Sequence, residues 1–425
     1  MLIRFQTSNF RSVSEPVELS MVAIDRNRPE ARAQPALGES LLPLAAIYGP
    51  NASGKTNVLG ALVWLVDAVE SSLRTWEDNI PVDPFAFASP AARTTEFELE
   101  LILNGVRFEY DLEVAADGIQ YEALFEYPQR RRRRVFEREG QTLTLQRGLG
   151  GLTGITRLWT PMTLMLSYGS TFQGATVSQF ARAVDAIQYM GRFPVPDSRF
   201  GRPGHSVWRG RATATTDLFD YKQPTLFDEA DNDRYARIRA LQMLRMADPY
   251  IEDVRFVEMT NSPTAGKTRR PKTMQLVHSV TGEQQPLDFA NESAGTQAWF
   301  TLVGPALAAL RTGSPLIVDE LDASLHPKLS AKLLTLFANP QTNPRGAQLI
   351  VTTHDTSLLA YLNRDEVWFT EKQTDGSTRL GPLTDFASDR VRRSVNLEAG
   401  YLAGRFGALP DLDDHALLRA LDLIG

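Results

Sequence analysis

The sequence predicts an α/β fold: a mostly parallel central sheet that carries a phosphate-binding loop, an antiparallel β subdomain beside it, and an inserted, compact α+β lobe. Three observations carry the prediction. The string "GPNASGKT" at 49–56 fits the G-x-x-x-x-G-K-[ST] pattern in full, with a strand-forming run before it and a helical run after it. Two short apolar runs, at 316–318 and 349–351, have the composition of buried parallel strands and end in the polar strings "DELD" and "TTHD". Residues 95–147 hold four alternating runs separated by Asn-Gly, Asp-Gly and Glu-Gly, the turn pairs of an antiparallel meander.

In chain order, the opening "MLIRFQTSNF" sets Leu2, Arg4 and Gln6 against Ile3 and Phe5, a strand before a turn. "PLAAIYG" is the strand that enters the loop, and "NVLGALVWLVDAVESSL" the helix that leaves it. Beyond the meander, 155–193 is expected to be mostly helical, with "VSQFARAVDAIQYM" its clearest amphipathic run. A stretch near 195–230, rich in Pro, Gly and polar residues, is expected to loop out or move. The helix "RYARIRALQMLRMA" then leads to a hairpin of "IEDVRFVEM" and "KTMQLVHSV". No sustained heptad is present, which excludes a long coiled-coil arm. The expected division is 1–94 for the N-terminal part of the core, 95–150 for the antiparallel subdomain, 151–285 for the inserted lobe and 286–425 for the C-terminal part of the core.

The 425 residues are 43% hydrophobic, enough for a sizeable core in two or three lobes. Cysteine is absent, which excludes disulfides and thiolate chemistry and fits a reducing compartment. The apolar runs fall short of a bilayer span and the first residues lack a signal-peptide core, so the expectation is cytoplasmic, with no membrane contact. A net charge of −6 leaves any nucleic-acid contact to two basic segments, Arg130 to Arg134 and Lys267 to Lys272. Each reads equally as a solvated loop that guards a sheet edge.

The loop motif dictates its chemistry. Backbone N–H groups across Gly49, Asn51, Ala52, Ser53, Gly54, Lys55, Thr56 and Asn57 are placed to cradle phosphates. The Lys55 ammonium reaches the β and γ groups, and the Thr56 hydroxyl ligates Mg²⁺. Asp319 and Glu320 stand at the end of a buried strand, the edge where open α/β sheets bind ligands. There Asp319 would hold the metal and Glu320 would orient and polarise the attacking water. His354 ends the second such strand within reach of a γ-phosphate. A later "AGKTRR" lacks the glycine the loop pattern requires.

The string "ESAGTQAWF" opens an apolar helix. Ser293 is a helix N-cap on a local reading, and with Gly295 it is also an anion site able to cap a γ-phosphate presented by a second copy of the chain. Elsewhere, His205 and His278 are isolated, and His326 and His415 look like surface or interface residues. No His/Asp/Glu cluster has metal-ligand spacing, which makes an intrinsic nuclease an unfavoured reading. Arg405 in "LAGRFGALP" reads as tightly packed.

Together these motifs resemble the ABC-class P-loop ATPases, particularly the soluble SMC, RecF and overcoming-lysogenization-defect group. The resemblance implies an ABC-type core that uses ATP and Mg²⁺. It makes Lys55, Thr56, Asp319, Glu320 and His354 the Walker A, Walker B, catalytic glutamate and switch histidine positions. It also places Ser293, Gly295 and Gln297 in the signature string, Asp322 in the D-loop, and the nucleotide between two copies in a homodimer or higher even-numbered oligomer. The tail, "RDEVWFTEKQTDGSTRLGPLTDF" and "GYLAGRFGALP", resembles stand-alone AAA-type ATPases of abortive-infection and phage-defence operons. The signature departs from the transporter string, and Gln173 and Gln179 are weak candidates for the Q-loop glutamine that the resemblance implies.

Three functions follow from this reading. One is an ATP-hydrolysing sensor of phage defence that controls a separate effector, for instance a nuclease, since 71 residues after His354 are too few for an appended Toprim domain. Another is a DNA-binding repair or maintenance ATPase. The third is a nucleotide-gated scaffold with little turnover.

Overall fold

The computed structural model describes residues 1–87, 94–146, 160–169, 176–191, 193, 209–211, 215–219, 230–258, 272–386, 397–403 and 405. The chain opens with β1 (Leu2–Ser8), β2 (Val17–Ser20), the small hairpin β3 (Arg32–Gln34) and β4 (Glu39–Leu41), then β5 (Leu44–Tyr48) and the long helix α1 (Lys55–Thr75). A meander follows: β6 (Thr95–Leu103), β7 (Val106–Ala115), β8 (Gly118–Tyr127), β9 (Arg133–Glu139) and β10 (Thr142–Leu145). Next come α2 (Met165–Gly169), α3 (Thr176–Asp185), β11 (Gln188–Gly191), β12 (Arg209–Arg211) and α4 (Ala230–Ala247). Strands β13 (Ile251–Glu258), β14 (Lys272–Val280) and β15 (Glu283–Asp288) precede α5 (Ala294–Thr312), β16 (Pro315–Val318), α6 (Pro327–Ala338) and β17 (Gln348–Thr352). The described chain closes with β18 (Val367–Lys372), β19 (Thr378–Pro382), α7 (Leu383–Phe386) and α8 (Leu397–Leu402).

Two seven-stranded sheets organise these elements. One is antiparallel, in the order β10-β9-β8-β7-β6-β1-β2. The other, β12-β11-β16-β17-β5-β18-β19, is parallel from β11 to β18 and has an antiparallel strand at each edge. Helix α1 lies between the sheets, which is why its sequence is apolar on all sides: residues 58–66 are all buried. Its Trp64 stacks on Phe97 of β6 with ring centroids 4.7 Å apart. Strand β5 is buried on both faces, with Ala45 and Ile47 turned toward α1 and Leu44, Ala46 and Tyr48 toward α5 and α6. That two-sided burial explains the absence of polar alternation in the β5, β16 and β17 runs.

Three expectations need correction. The amphipathic run at 177–190 is not one helix: α3 stops at Asp185, and residues 188–190 pair in parallel with β16. Tyr189 enters the core on the α1 side and Met190 the opposite core, so pairing in a two-faced sheet overrides the helical period. Segment 151–285 therefore supplies two strands of the central sheet as well as a lobe of its own. In that lobe the hairpin gains a third strand, β15, whose six residues are all exposed and include Pro286, as an edge strand tolerates. Arg405 is exposed, contrary to the packed reading. Gln173, His205, His415 and Lys267 lie outside the described residues, as does most of 195–230. None of the described helices is long and apolar enough to cross a membrane.

Candidate nucleotide-binding site

The loop at 49–54 joins the carboxyl end of β5 to α1 and is held from two sides. Ser53 Oγ pairs with Thr370 Oγ1 at 2.6 Å, and Thr378 Oγ1 donates to the Ser53 carbonyl at 3.0 Å. Ser12, in the turn after β1, pairs with Thr378 Oγ1 at 2.7 Å and accepts from Asn57 Nδ2 at 2.7 Å. Gly54 has φ of +100°, and a Cβ there would lie 1.9 Å from Thr378 Oγ1, so both backbone and space demand glycine. Ala52 also sits in the left-handed region, with φ of 61°. Lys55 is buried, and its Nζ donates to the carbonyls of Gly49 and Pro50 at 2.8 and 2.9 Å. Desolvation pulls its pKa down, while Asp319, Glu320 and Asp322 pull it back up, which places all three acids in its electrostatic neighbourhood.

The acids come from β16, the next strand but one in the sheet. Asp319 is 2% exposed, and its Oδ1 accepts from Thr56 Oγ1 at 3.0 Å and from Thr352 Oγ1 at 2.7 Å. Burial raises its pKa against these two hydrogen bonds. Glu320 is exposed and its backbone has φ of 53°, an uncommon setting for a non-glycine residue at a strand end. The Glu320 N–H is pinned by Thr352 Oγ1 at 2.7 Å. At the end of β17, the His354 N–H donates to Asp322 Oδ1 at 3.1 Å. Burial, with Lys55 next in strength, holds the His354 imidazole below its ordinary value, so it is neutral at pH 7. Lys55, Thr56, Asp319, Glu320, Asp322 and His354 thus gather at the carboxyl ends of β5, β16 and β17. Thr56 and Asp319 are hard oxygen donors that fit Mg²⁺, which would neutralise charge on phosphate oxygens.

Ser293 caps α5: its Oγ accepts from Thr296 N at 3.1 Å, and the residue is exposed. Gly295 lies against the backbone of Ser324, two residues beyond Asp322; a Cβ there would be 3.0 Å from the Ser324 carbonyl. Gln297 is occupied differently, since its Nε2 donates to the carbonyls of Phe289, Glu292 and Ala290 at 2.9, 3.1 and 3.4 Å. That side chain ties down the turn before α5 and has no amide proton left for a phosphate. Gln179 lines a cavity of about 420 Å³ with Met1, Ser314 and Pro315, at the end of β16 opposite Asp319.

One further reading changes. His278 is not isolated: it bridges Glu292 at 2.7 Å and Asp248 at 3.4 Å. His326 caps α6, accepting from Lys328 N at 3.2 Å. Sequence reasoning missed Ser12, Thr352, Thr370 and Thr378. Only Thr352, beside His354 in "TTHD", carried a local signal.

A strand–loop–helix phosphate cradle, a buried acid on the neighbouring parallel strand but one, and a histidine on the strand between them define a P-loop nucleotide-binding ATPase core. The chain belongs to the family described as "AAA domain, putative AbiEii toxin, Type IV TA system", whose model matches residues 44–143 and 192–360. Two solved structures that the chain matches are an SmcHead bound to the C-winged helix domain of ScpA, and an SMC head domain from Thermotoga maritima. The first is 13% identical with a TM-score of 0.47, the match covering 90% of this chain and 98% of that one. The second is 14% identical with a TM-score of 0.36 and the same coverage, 90% and 98%. None of the curated proteins matches the chain.

Proposed function

We propose that the protein binds ATP with Mg²⁺ and hydrolyses it in paired sites between two copies, using the closed pair as a switch on a separate effector protein in phage defence. The observation that carries this reading is the unbroken connection from Thr56 through Asp319 and Thr352 to the Glu320 backbone. It ties the phosphate-loop helix, the metal-binding acid and the water-orienting acid into one unit. Lys55 binds the phosphates, Thr56 and Asp319 hold Mg²⁺, Glu320 orients the attacking water, and neutral His354 donates to the γ-phosphate. Asp322, bonded to the His354 backbone, couples the D-loop to that contact. Ser293, which is exposed, and Gly295 beside it at the head of α5 cap a γ-phosphate held by the other copy. The family description names a putative AbiEii toxin and a Type IV TA system, which supports a place in such a system.

The repair reading draws less support. Arg132, Arg133 and Arg134 are paired with Glu109, Glu126 and Glu137 respectively, and Arg130 donates to the carbonyls of Ala36 and Pro35. With three of its five arginines paired to carboxylates, the run has less charge to offer a phosphate backbone.

Light scattering of the wild type and Glu320→Gln, with and without Mg-ATP and repeated with Ser293→Arg, tests the proposal. The expected result is a doubled mass with ATP that persists in Glu320→Gln and is abolished by Ser293→Arg. An unchanged mass in all three proteins, with no ATP turnover, overturns it.

A further inference from the structure

Helix α8, whose last three residues open the tail string "GYLAGRF", has no place in the nucleotide chemistry above, yet it reaches the site from behind. Tyr401 is 6% exposed, and its ring stacks on Phe369 of β18 with centroids 5.3 Å apart and planes 5° from parallel. The same ring meets Tyr48 at 5.9 Å. Tyr48 is fully buried and immediately precedes Gly49, the first residue of the phosphate loop. Its hydroxyl donates to the carbonyl of Asp355 at 3.2 Å, one residue past His354. One turn earlier on α8, Glu398 accepts from Thr356 Oγ1 at 3.3 Å. Leu358 and Leu359 of that same turn are buried in the core that holds Tyr401. The 355–361 turn is thus held by α8 at one side and by the end of β5 at the other.

We infer that α8, acting through Tyr401, is the positioning element that sets His354 relative to the phosphate loop; this rests on the ATPase reading proposed above. The loop itself has separate supports in Ser12, Thr370 and Thr378. Loss of the Tyr401 ring therefore loosens the turn that carries His354 more than it loosens the phosphate cradle. A histidine displaced by about 1 Å costs catalysis far more than it costs binding.

The test has two readouts. In steady-state hydrolysis, Tyr401→Ala is expected to lower kcat about tenfold while nucleotide affinity changes less than about threefold, and Tyr401→Phe, which keeps the stack, restores kcat. Made in a His354→Ala background, Tyr401→Ala should add less than about a twofold loss, because the two residues act as one unit. Equal fold losses in both backgrounds overturn the inference. Hydrogen exchange supplies the second readout, without relying on turnover: amides 355–361 should exchange faster in Tyr401→Ala while amides 53–58 keep wild-type protection. Exchange unchanged at 355–361, or raised equally in both segments, also overturns it. A wild type that exchanges as expected but turns over no ATP refutes the ATPase reading and leaves the brace standing. If Tyr401→Ala does not fold, Tyr401→Leu, which fills the space without stacking, takes its place in both measurements.

Discussion

Thr352 joins the two acids of the site: its hydroxyl donates to Asp319 Oδ1 at 2.7 Å and accepts the Glu320 N–H at 2.7 Å. The residue is fully buried, so neither bond is traded for water when it is lost. Thr352→Val keeps the shape and removes both. The expected outcome is a loss of about 2–3 kcal/mol of stability and at least a tenfold drop in ATP turnover, because the Glu320 backbone is no longer held in its left-handed setting. Urea unfolding and a steady-state assay read the two effects.

Glu320→Gln separates chemistry from binding. The amide keeps the size of the side chain but cannot polarise water, so hydrolysis should fall by about 10²–10³ with ATP affinity within about twofold of wild type. Equilibrium binding beside single-turnover hydrolysis measures both, and a parallel loss of affinity would count against a water-orienting role.

Gly54→Ala should abolish nucleotide binding. The added methyl collides with Thr378 Oγ1, and φ of +100° remains unfavourable for alanine once that collision is removed. Gly54→Ala combined with Thr378→Ala is therefore expected to recover stability in part and binding hardly at all. Calorimetric titration with ATP, set against melting temperature, distinguishes the two contributions.

The outer face of the antiparallel sheet gives a pH prediction. Asp111 lies opposite Glu98 in the register, with Glu109 and Glu100 also near. Burial first, and then Glu109 and Glu98, push its carboxyl up to about 7 against the opposing pull of Arg132. A carboxyl raised on folding contributes stability that is fully present below its ordinary value near 4 and is lost as pH rises through about 7. The full displacement corresponds to about 4 kcal/mol, and screening of a side chain that is 26% exposed leaves about 1–2 kcal/mol. Asp111→Asn should accordingly gain about 1–2 kcal/mol over wild type between pH 5 and pH 8. Unfolding curves at the two pH values check it, and a constant difference would show that Asp111 stays ionised throughout.

How much of this was legible in the sequence depended on the distance between partners. Lys55, Thr56, Asp319 and His354 stand in short strings whose neighbours announce a strand end or a loop, and the structure places all four at adjoining strand ends. Four strands of the meander were equally plain, because their turns are local, but β9, which begins inside the arginine run, was not. Partners distant in sequence were not visible: nothing near His278 points to Glu292, and nothing in "RRRRR" points to Glu109 on β7, beyond the intervening β8. The strand at 188–191 was hidden for a related reason, since a four-residue run leaving a helix takes its identity from β16, more than a hundred residues later. Gln297 looked like a ligand because its neighbours in the signature are ligand types, whereas its amide serves the turn behind it.

The hydrogen bond from Thr378 to the Ser53 carbonyl spans 325 residues, and β5 takes its place between β17 and β18, both of which are translated long after it. A ribosome making this protein therefore exposes the Walker A string early and must synthesise most of the chain before that string has walls. The nascent chain cannot bind ATP in its final manner until β19 has emerged. A stop codon anywhere before β19 would accordingly leave the loop without the Thr378 hydroxyl that holds the Ser53 carbonyl.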